Sequence, residues 1–305
     1  MNRRRFNERI IGGALGIAGS VSATTLVGSS RQNHFNDQTP VIEWNTHIFS
    51  GDLEKYPFHP NATYQRDVSQ EPDDPLAAYL DRCDQLGIDH AVIVHPEPYG
   101  DDHRLVIDCL EREPERLRGT SLFYPKDQDA PNKLKALAKA NPGIVSTRFH
   151  AHKGKEMYLD SFSDTGVRNL WKAAVDSNFI VELHIGPDYA KQVAAVIKEF
   201  PGCRVLIDHL AEPHLGTGVE FADVLDLAKF PNVYMKLSGL NHFATDEPHY
   251  LSAKPFTKWV IEAFGPDQLV WGSGVPTIVD KHMDKYTADD ISKVKGGNLQ
   301  KLLNW

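Results

Sequence analysis

The sequence predicts a single (β/α)₈ barrel over residues 40–305. Short runs rich in Val, Ile and Leu alternate along the chain with amphipathic stretches of helical period. Most of the runs lack strict polar–apolar alternation, as expected of parallel strands that are covered on both faces. Eight runs can be counted, and the chain exceeds the roughly 250 residues that such a barrel needs. The runs lie at 41–47, 90–95, 119–124, 144–150, 179–184, 204–209, 232–237 and 268–273.

Helical stretches separate these runs. The first shows the usual boundary signals, because Pro75 opens it and Gly87 follows it. A doubly wound open sheet is the alternative fold, but it normally carries a glycine-rich phosphate-binding turn after its first strand, and residues 47–51 have no such turn. The predicted helices lie at 75–87, 102–113, 131–140, 165–177, 188–200, 218–229 and 255–264, with a last one after Asn298.

The N-terminus has the layout of an export signal, which we place at residues 1–23. Arginines at 3–5 precede a Gly- and Ala-rich apolar run at 10–18, and 21–23 has the small residues of a cleavage site. The paired arginines resemble the twin-arginine type. We therefore expect a linker at 24–39 and export to the periplasm or another extracytoplasmic compartment; a frayed basic N-terminus is the alternative. The apolar run is too short for a good membrane span, so no stable span is expected after signal removal.

The charge and the cysteine content limit the classes of partner and of chemistry to be expected. The net charge is −8, and no Lys/Arg cluster occurs beyond the N-terminus, which argues against nucleic acid as a partner. The partner expected at the site described below is a small-molecule substrate. The three cysteines show no C-x-x-C spacing, and their odd number argues against a disulfide framework. Nothing in the composition sets an oligomeric state.

Histidines recur at the ends of the predicted strands. Active sites of barrels are built at the carboxyl ends of the strands, so these side chains should converge around one axis. A cluster of this kind suits metal binding or acid–base catalysis. The predicted strand-end residues are His47, His95, Arg148, His150, His184, His209, Lys236 and Ser273.

Several motifs resemble the lactonase-like branch of the amidohydrolase-2 family, which includes 2-pyrone-4,6-dicarboxylate lactonase. The opening carries Tyr56-Pro57 and Ala62-Thr63-Tyr64 in the order typical of that branch. The likeness continues through LIDHLAEP at 206–213, VYMKLSGL at 233–240 and LVWGSGVP at 269–276. The resemblance implies a metal-dependent-hydrolase-like barrel that hydrolyses a cyclic ester.

The chain departs from the family pattern at three positions. Asn45 stands at the opening aspartate, Phe49 at the second histidine of H-x-H, and Gly274 at the aspartate after strand 8 that the family uses as a general base. His47, His184 and His209 remain of the metal site that the resemblance implies. Such a three-histidine set could hold one Zn or Mn ion, so we expect either no cofactor or one divalent metal at an incomplete site.

These residues lead to three functional hypotheses. The first is a hydrolase that adds water to the carbonyl of a lactone, with His184 or His209 as general base and Arg148 or Lys236 stabilising the oxyanion. The two cations also favour an anionic, carboxylated substrate, unless Arg148 forms a salt bridge with a neighbouring acid and the stem of Lys236 only fills the barrel. The second hypothesis is a degenerate barrel that binds a small acidic ligand, and the third is a decarboxylase. The residues predicted to contact substrate are His47, His95, His150, His242 and Ser273.

Overall fold

The computed structural model describes residues 39–151 and 158–305, which belong to one compact unit. The predicted export signal and all but the last residue of the predicted linker lie outside these residues. In the described part of the chain, no helix is long and apolar enough to cross a membrane.

Eight parallel strands form one sheet in the order β1 to β8, and β8 also contacts β1, so the sheet nearly closes into a barrel. This confirms the predicted (β/α)₈ fold. Several strands end earlier than predicted, which leaves His47, His95 and Ser273 in loops and His209 at the start of a short 3₁₀ helix, all just beyond the strands. The strands are β1 Ile42–Thr46, β2 His90–Ile93, β3 Leu117–Leu122, β4 Ile144–His150, β5 Ile180–His184, β6 Val205–Ile207, β7 Val233–Leu237 and β8 Leu269–Trp271.

Helices follow the strands, as the periodicity predicts. In the first, the side chain of Asp74 accepts from the backbone N–H of Ala77, and Gly87 ends the helix with a positive φ. Two short helices after β8 were not predicted. The helices are α1 Pro75–Leu86, α2 Arg104–Arg112, α3 Ala130–Ala140, α4 Thr165–Asp176, α5 Ala190–Glu199, α6 Gly218–Leu225, α7 Lys254–Phe264, α8 Thr277–His282, α9 Ala288–Ser292 and α10 Asn298–Leu303.

The barrel interior is layered, and the β4–β5 register shows the sequence of layers. Ser146 pairs with Ile180, Arg148 with Glu182 and His150 with His184, so small and apolar residues give way to charges and then to histidines. The lowest layer is an apolar cluster that α10 closes from below, made of Ile42, Trp44, Val92, Val94, Ile180, Leu206, Val270, Leu299 and Leu302. A packed, apolar base of this kind fixes the strand ends above it.

Candidate active site

Four charged side chains form one ion layer across the barrel interior. Lys236 is fully buried, and its Nζ lies 2.5 Å from Oε1 of Glu182 and 2.7 Å from Oδ1 of Asp208. Arg148 contacts Oδ2 of Asp208 through Nε at 2.8 Å and Nη2 at 2.6 Å. The indole N–H of Trp44 donates to Oε2 of Glu182 at 3.2 Å. Two cations therefore balance two acids in the interior.

The ion layer treats its two acids differently. Desolvation and the charge of Asp208 raise the pKa of Glu182 to about 7. Desolvation also acts on Asp208, but Arg148 and Lys236 outweigh it and hold the pKa of Asp208 well below its usual value. Asp208 is thus the firmly ionised acid, and Glu182 is the one that takes up a proton more readily.

The structure places both predicted cationic site residues in this layer. The ammonium of Lys236 is enclosed by the two carboxylates and by the amide oxygen of Asn45 at 3.3 Å, so its position does not support the predicted contact with an oxyanion. Arg148 forms the salt bridge that was the alternative expectation. One of its nitrogens, Nη1, still points to the histidines and lies 3.2 Å from Nε2 of His150.

A chain of hydrogen bonds above the ion layer fixes the tautomers of two histidines. A guanidinium can only donate, so Nε2 of His150 accepts from Arg148 and its Nδ1 carries the proton. That Nδ1 lies 3.3 Å from Nδ1 of His184, which must then accept. His184 consequently carries its own proton on Nε2 and donates it to Oε1 of Glu212 at 3.0 Å. Both nitrogens of His184 are engaged.

Glu212 reaches the site because the chain makes a left-handed turn after β6. Residues His209, Leu210, Ala211 and Glu212 all have φ between +50° and +56°. Side chains with a Cβ avoid this region at a cost of about 1 kcal/mol or more each, and such strain is concentrated at functional sites. The turn brings the side chains of His209 and Glu212 to the same part of the site, next to His184.

The carboxylate of Glu212 is almost fully buried and is surrounded by imidazoles. Nδ1 of His242 lies 2.9 Å from Oε1 and 3.0 Å from Oε2, and Nδ1 of His214 lies 3.7 Å from Oε2. Burial acts to raise the pKa of Glu212, but the hydrogen bonds from His184 and His242 outweigh it and lower it to about 2. The carboxylate is therefore ionised, and in turn its hydrogen bond raises the pKa of His242.

His209 is held from below by the loop after β7. Its Nδ1 lies 2.9 Å from Oγ of Ser238, and its ring lies 5.2 Å from that of His184 and 5.0 Å from that of His242. A Cβ on Gly239 would lie 2.6 Å from the His209 ring, so only glycine fits beside it. Burial lowers the pKa of His209 well below its usual value.

The structure does not bring every predicted substrate contact into this group. His47 has an exposed side, and its Nδ1 contacts the carbonyl oxygen of Val94 at 2.9 Å. His95 is fully buried, and its Nε2 donates to the carbonyl of Gly100 at 2.8 Å, as in a structural histidine. Ser273 is half-buried beyond β8.

The three departures from the family pattern have local explanations. Asn45 accepts from Lys236, and the Phe49 ring packs 5.9 Å from that of Tyr99 in the core between the strands and helices. Gly274 has a φ of +92°, and a Cβ there would lie 2.6 Å from Cδ1 of Ile278. The backbone at this position is therefore shaped for glycine.

Sequence reasoning missed Glu212. The residue stands in the motif LIDHLAEP, three positions after His209, which was the only available signal. Tyr64 was predicted only as part of the Ala62-Thr63-Tyr64 element and not as a site residue. Its side chain is half exposed. Desolvation and the charge of Glu97 raise the pKa of its phenol.

A (β/α)₈ barrel with histidines, an ionised carboxylate and an arginine at the carboxyl ends of its strands has the architecture of a barrel hydrolase. The chain belongs to the amidohydrolase family, since the family model described as Amidohydrolase matches residues 42–294. This confirms the predicted family and, with the named relatives below, the hydrolase class.

Two curated relatives are named lactone hydrolases. The chain is 27% identical to a 4-sulfomuconolactone hydrolase of Hydrogenophaga intermedia over 252 residues, which cover 80% of this chain and 79% of the relative. It is also 27% identical to an L-fucono-1,5-lactonase of Burkholderia ambifaria, over 69% of this chain and 71% of the relative.

Solved structures share the fold at lower identity. A Pseudomonas putida protein assigned as 2-pyrone-4,6-dicarboxylic acid hydrolase superposes with a TM-score of 0.68 at 23% identity, covering 88% of this chain and 98% of that one. A zinc-bound amidohydrolase of Burkholderia multivorans gives 0.67 at 14% identity, with 87% and 99% covered. A manganese-bound dihydroxybenzoic acid decarboxylase of Polaromonas gives 0.60 at 13% identity, with 88% and 97% covered.

These metal-bound neighbours raise the question of whether the residues present fit an ion. His184, His209 and Glu212 offer one donor atom each within 4.8 Å of one another, so the predicted set loses His47 and gains a carboxylate. The donor types suit a divalent metal. However, both nitrogens of His184 and both oxygens of Glu212 are already hydrogen-bonded, so the group as arranged does not fit metal ligation unless an ion replaces these hydrogen bonds.

Proposed function

We propose that the protein hydrolyses a lactone that carries an anionic substituent. The proposal rests on one observation above all: imidazoles surround an ionised, buried carboxylate at the mouth of the barrel, and an imidazole held in this way can bind a water molecule and accept its proton. The curated relatives with lactone substrates in their names support the same reaction class.

The proposed reaction needs only a water molecule and the side chains of the site. The oxygen of water adds to the lactone carbonyl carbon, and a site imidazole takes the proton that is lost. The tetrahedral intermediate then expels the ring oxygen, which receives a proton and leaves as an alcohol, while the carbonyl becomes a carboxylic acid. Imidazole N–H groups and the positive charge of Arg148 stabilise the negative charge that develops on the carbonyl oxygen.

The preference for an anionic substrate follows from the residues around the cavity. Nη1 of Arg148 faces the histidines, and the half-exposed phenol of Tyr64 lies within the electrostatic reach of Arg148. Arg148 is paired with Asp208, but its Nη1 carries a second N–H that can donate to a carboxylate or sulfonate on the ring. Neutral lactones of the same ring size should therefore be poorer substrates.

The test is a panel of five- and six-membered lactones with and without a carboxylate, assayed with purified protein before and after EDTA treatment, with the metal content measured in parallel. We expect ring opening that prefers the carboxylated members. Tight binding of these compounds without turnover would instead identify a degenerate binding barrel. Release of CO₂ from a carboxylated substrate would identify a decarboxylase. Loss of activity in EDTA, restored by Zn or Mn, would show that an ion rearranges the site.

We also propose that residues 1–23 direct export as a folded protein. The arginines at 3–5, followed by an apolar run, support this assignment. Cell fractionation of the full chain and of a variant with Arg4→Lys and Arg5→Lys tests it. Accumulation of both in the cytoplasm would refute it.

A further inference from the structure

We infer that Glu212 and His242 form the acid–base dyad that replaces the missing aspartate at position 274. The inference deepens the proposed lactone hydrolysis and rests on it. Neither residue belongs to the strand-1 and strand-8 positions at which this chain departs from the family pattern.

The hydrogen bonds of His242 to Glu212 fix which of its two nitrogens can accept a proton. Nδ1 of His242 contacts both oxygens of the Glu212 carboxylate, at 2.9 and 3.0 Å. An ionised carboxylate only accepts, so Nδ1 carries the proton and Nε2 of a neutral His242 has a free lone pair. A base held by a carboxylate in this way is the arrangement that activates water or a nucleophile in many hydrolases.

The two side chains differ in their exposure to solvent. The side chain of His242 is 36% exposed, whereas that of Glu212 is 4% exposed. The imidazole therefore reaches the solvent side of the site, and its buried partner stays out of bulk water.

The two histidines that the sequence favours as general bases are less suited to accept a proton than His242. His184 uses both nitrogens, one toward His150 and one toward Glu212. His209 is buried, and its Nδ1 lies 2.9 Å from Oγ of Ser238, so it is less accessible to water than His242. His242 is exposed and oriented by a carboxylate, and within residues 39–151 and 158–305 no group is hydrogen-bonded to its Nε2.

In the reaction, Nε2 of His242 accepts a proton from the attacking water as the water oxygen bonds to the carbonyl carbon. Glu212 stabilises the imidazolium that forms. When the ring C–O bond breaks, the same proton passes from Nε2 to the departing oxygen, and His242 returns to its starting form. Atoms and charge balance without another reactant.

The experiment compares His242→Ala with His249→Ala, which removes a half-buried histidine of the same loop that contacts Thr277 and not Glu212. On the best lactone of the panel, we expect kcat of His242→Ala to fall by about 10²- to 10⁴-fold, as for loss of a general base, and to recover in part on addition of imidazole. His249→Ala should keep the wild-type kcat. Glu212→Gln should lower kcat without imidazole rescue, while circular dichroism and urea unfolding verify its fold.

Wild-type kcat in His242→Ala, or a loss that imidazole does not restore in a folded variant, would overturn the dyad. A readout independent of turnover separates this from failure of the proposed function. The ¹⁵N NMR spectrum of His242 at pH 8 should show the Nδ1–H tautomer in wild type and lose that preference in Glu212→Gln. An Nε2–H tautomer in wild type would refute the inference even if no lactone is hydrolysed.

Discussion

Replacing Lys236 by methionine tests whether the ion layer is a balanced unit. The ammonium is fully buried and lies 2.5 Å from Glu182 and 2.7 Å from Asp208, so its removal leaves one cation, Arg148, for two acids. Breaking a buried ion pair by removing one partner costs about 3–5 kcal/mol. We expect a loss of this size in the free energy of unfolding at pH 8.

The second variant, Lys236→Met with Glu182→Gln, removes one charge of each sign. Arg148 and Asp208 are then left as a neutral pair at 2.6 Å, so the double variant should be more stable than the single one by about 1.5–3 kcal/mol. Because the pKa of Glu182 is about 7, the single variant should also lose less stability at pH 6, where that carboxyl is easily protonated.

Urea unfolding followed by tryptophan fluorescence measures all three proteins, with the m-value compared to confirm that the transitions are alike. Lys258→Met is the matched control, since that lysine is exposed on α7 with a partner at 3.8 Å, and it should stay within about 0.5 kcal/mol of wild type. A single variant that loses less than about 1 kcal/mol, or a double variant no more stable than the single, would refute the balanced layer.

Three shorter predictions concern the site. The pKa of Glu212 falls from 4.5 to about 2 on folding, so the stabilisation that its ionised form gives the folded state is complete above pH 4.5 and is lost as the pH falls towards 2. Between pH 5 and pH 3.5, the free energy of urea unfolding should therefore fall by about 1 kcal/mol more in wild type than in Glu212→Gln. Equal losses in the two proteins would contradict the hydrogen bonds of Glu212 with His184 and His242. Gly239→Ala should lower lactone turnover at least 10-fold, because its Cβ would meet the His209 ring at 2.6 Å and a φ of +66° disfavours alanine; unchanged kinetics would show that the ring moves freely. Gly274→Asp should not improve hydrolysis and should lower the melting temperature, because φ is +92° and Ile278 occupies the space of the new side chain; a gain of turnover would show that the loop adapts.

The fold could be predicted because each of its elements has a local signal. Apolar runs gave the eight strands, and Pro75 and Gly87 marked the ends of α1. The short helices α8 and α9 were missed because five or six residues carry too little periodicity.

The site was predicted only in part, for a different physical reason. Strand ends identify His150 and His184 directly, because a parallel strand fixes where its last side chain lies. Glu212 depends on four successive residues with positive φ, and backbone propensity disfavours that conformation at each of them. The pairing of Arg148 and Lys236 with buried acids depends on register across four strands, which no single segment specifies.

The positions of the departures and of the surviving groups support one account of this barrel. Phe49 and Gly274 follow β1 and β8, and there the structure has apolar packing and a glycine-shaped loop. Glu212 and His242 follow β6 and β7, directly above the strands that carry the ion layer. The charge-balanced ion layer of β4–β7 supports Glu212 and His242 from below. It does not depend on the positions after β1 and β8, where the second histidine and the acid of the family pattern are absent. On this account the proton-transfer chemistry is located on the β5–β7 side of the barrel, and variants at Glu212 and His242 should affect turnover far more than variants at His47 or Ser273.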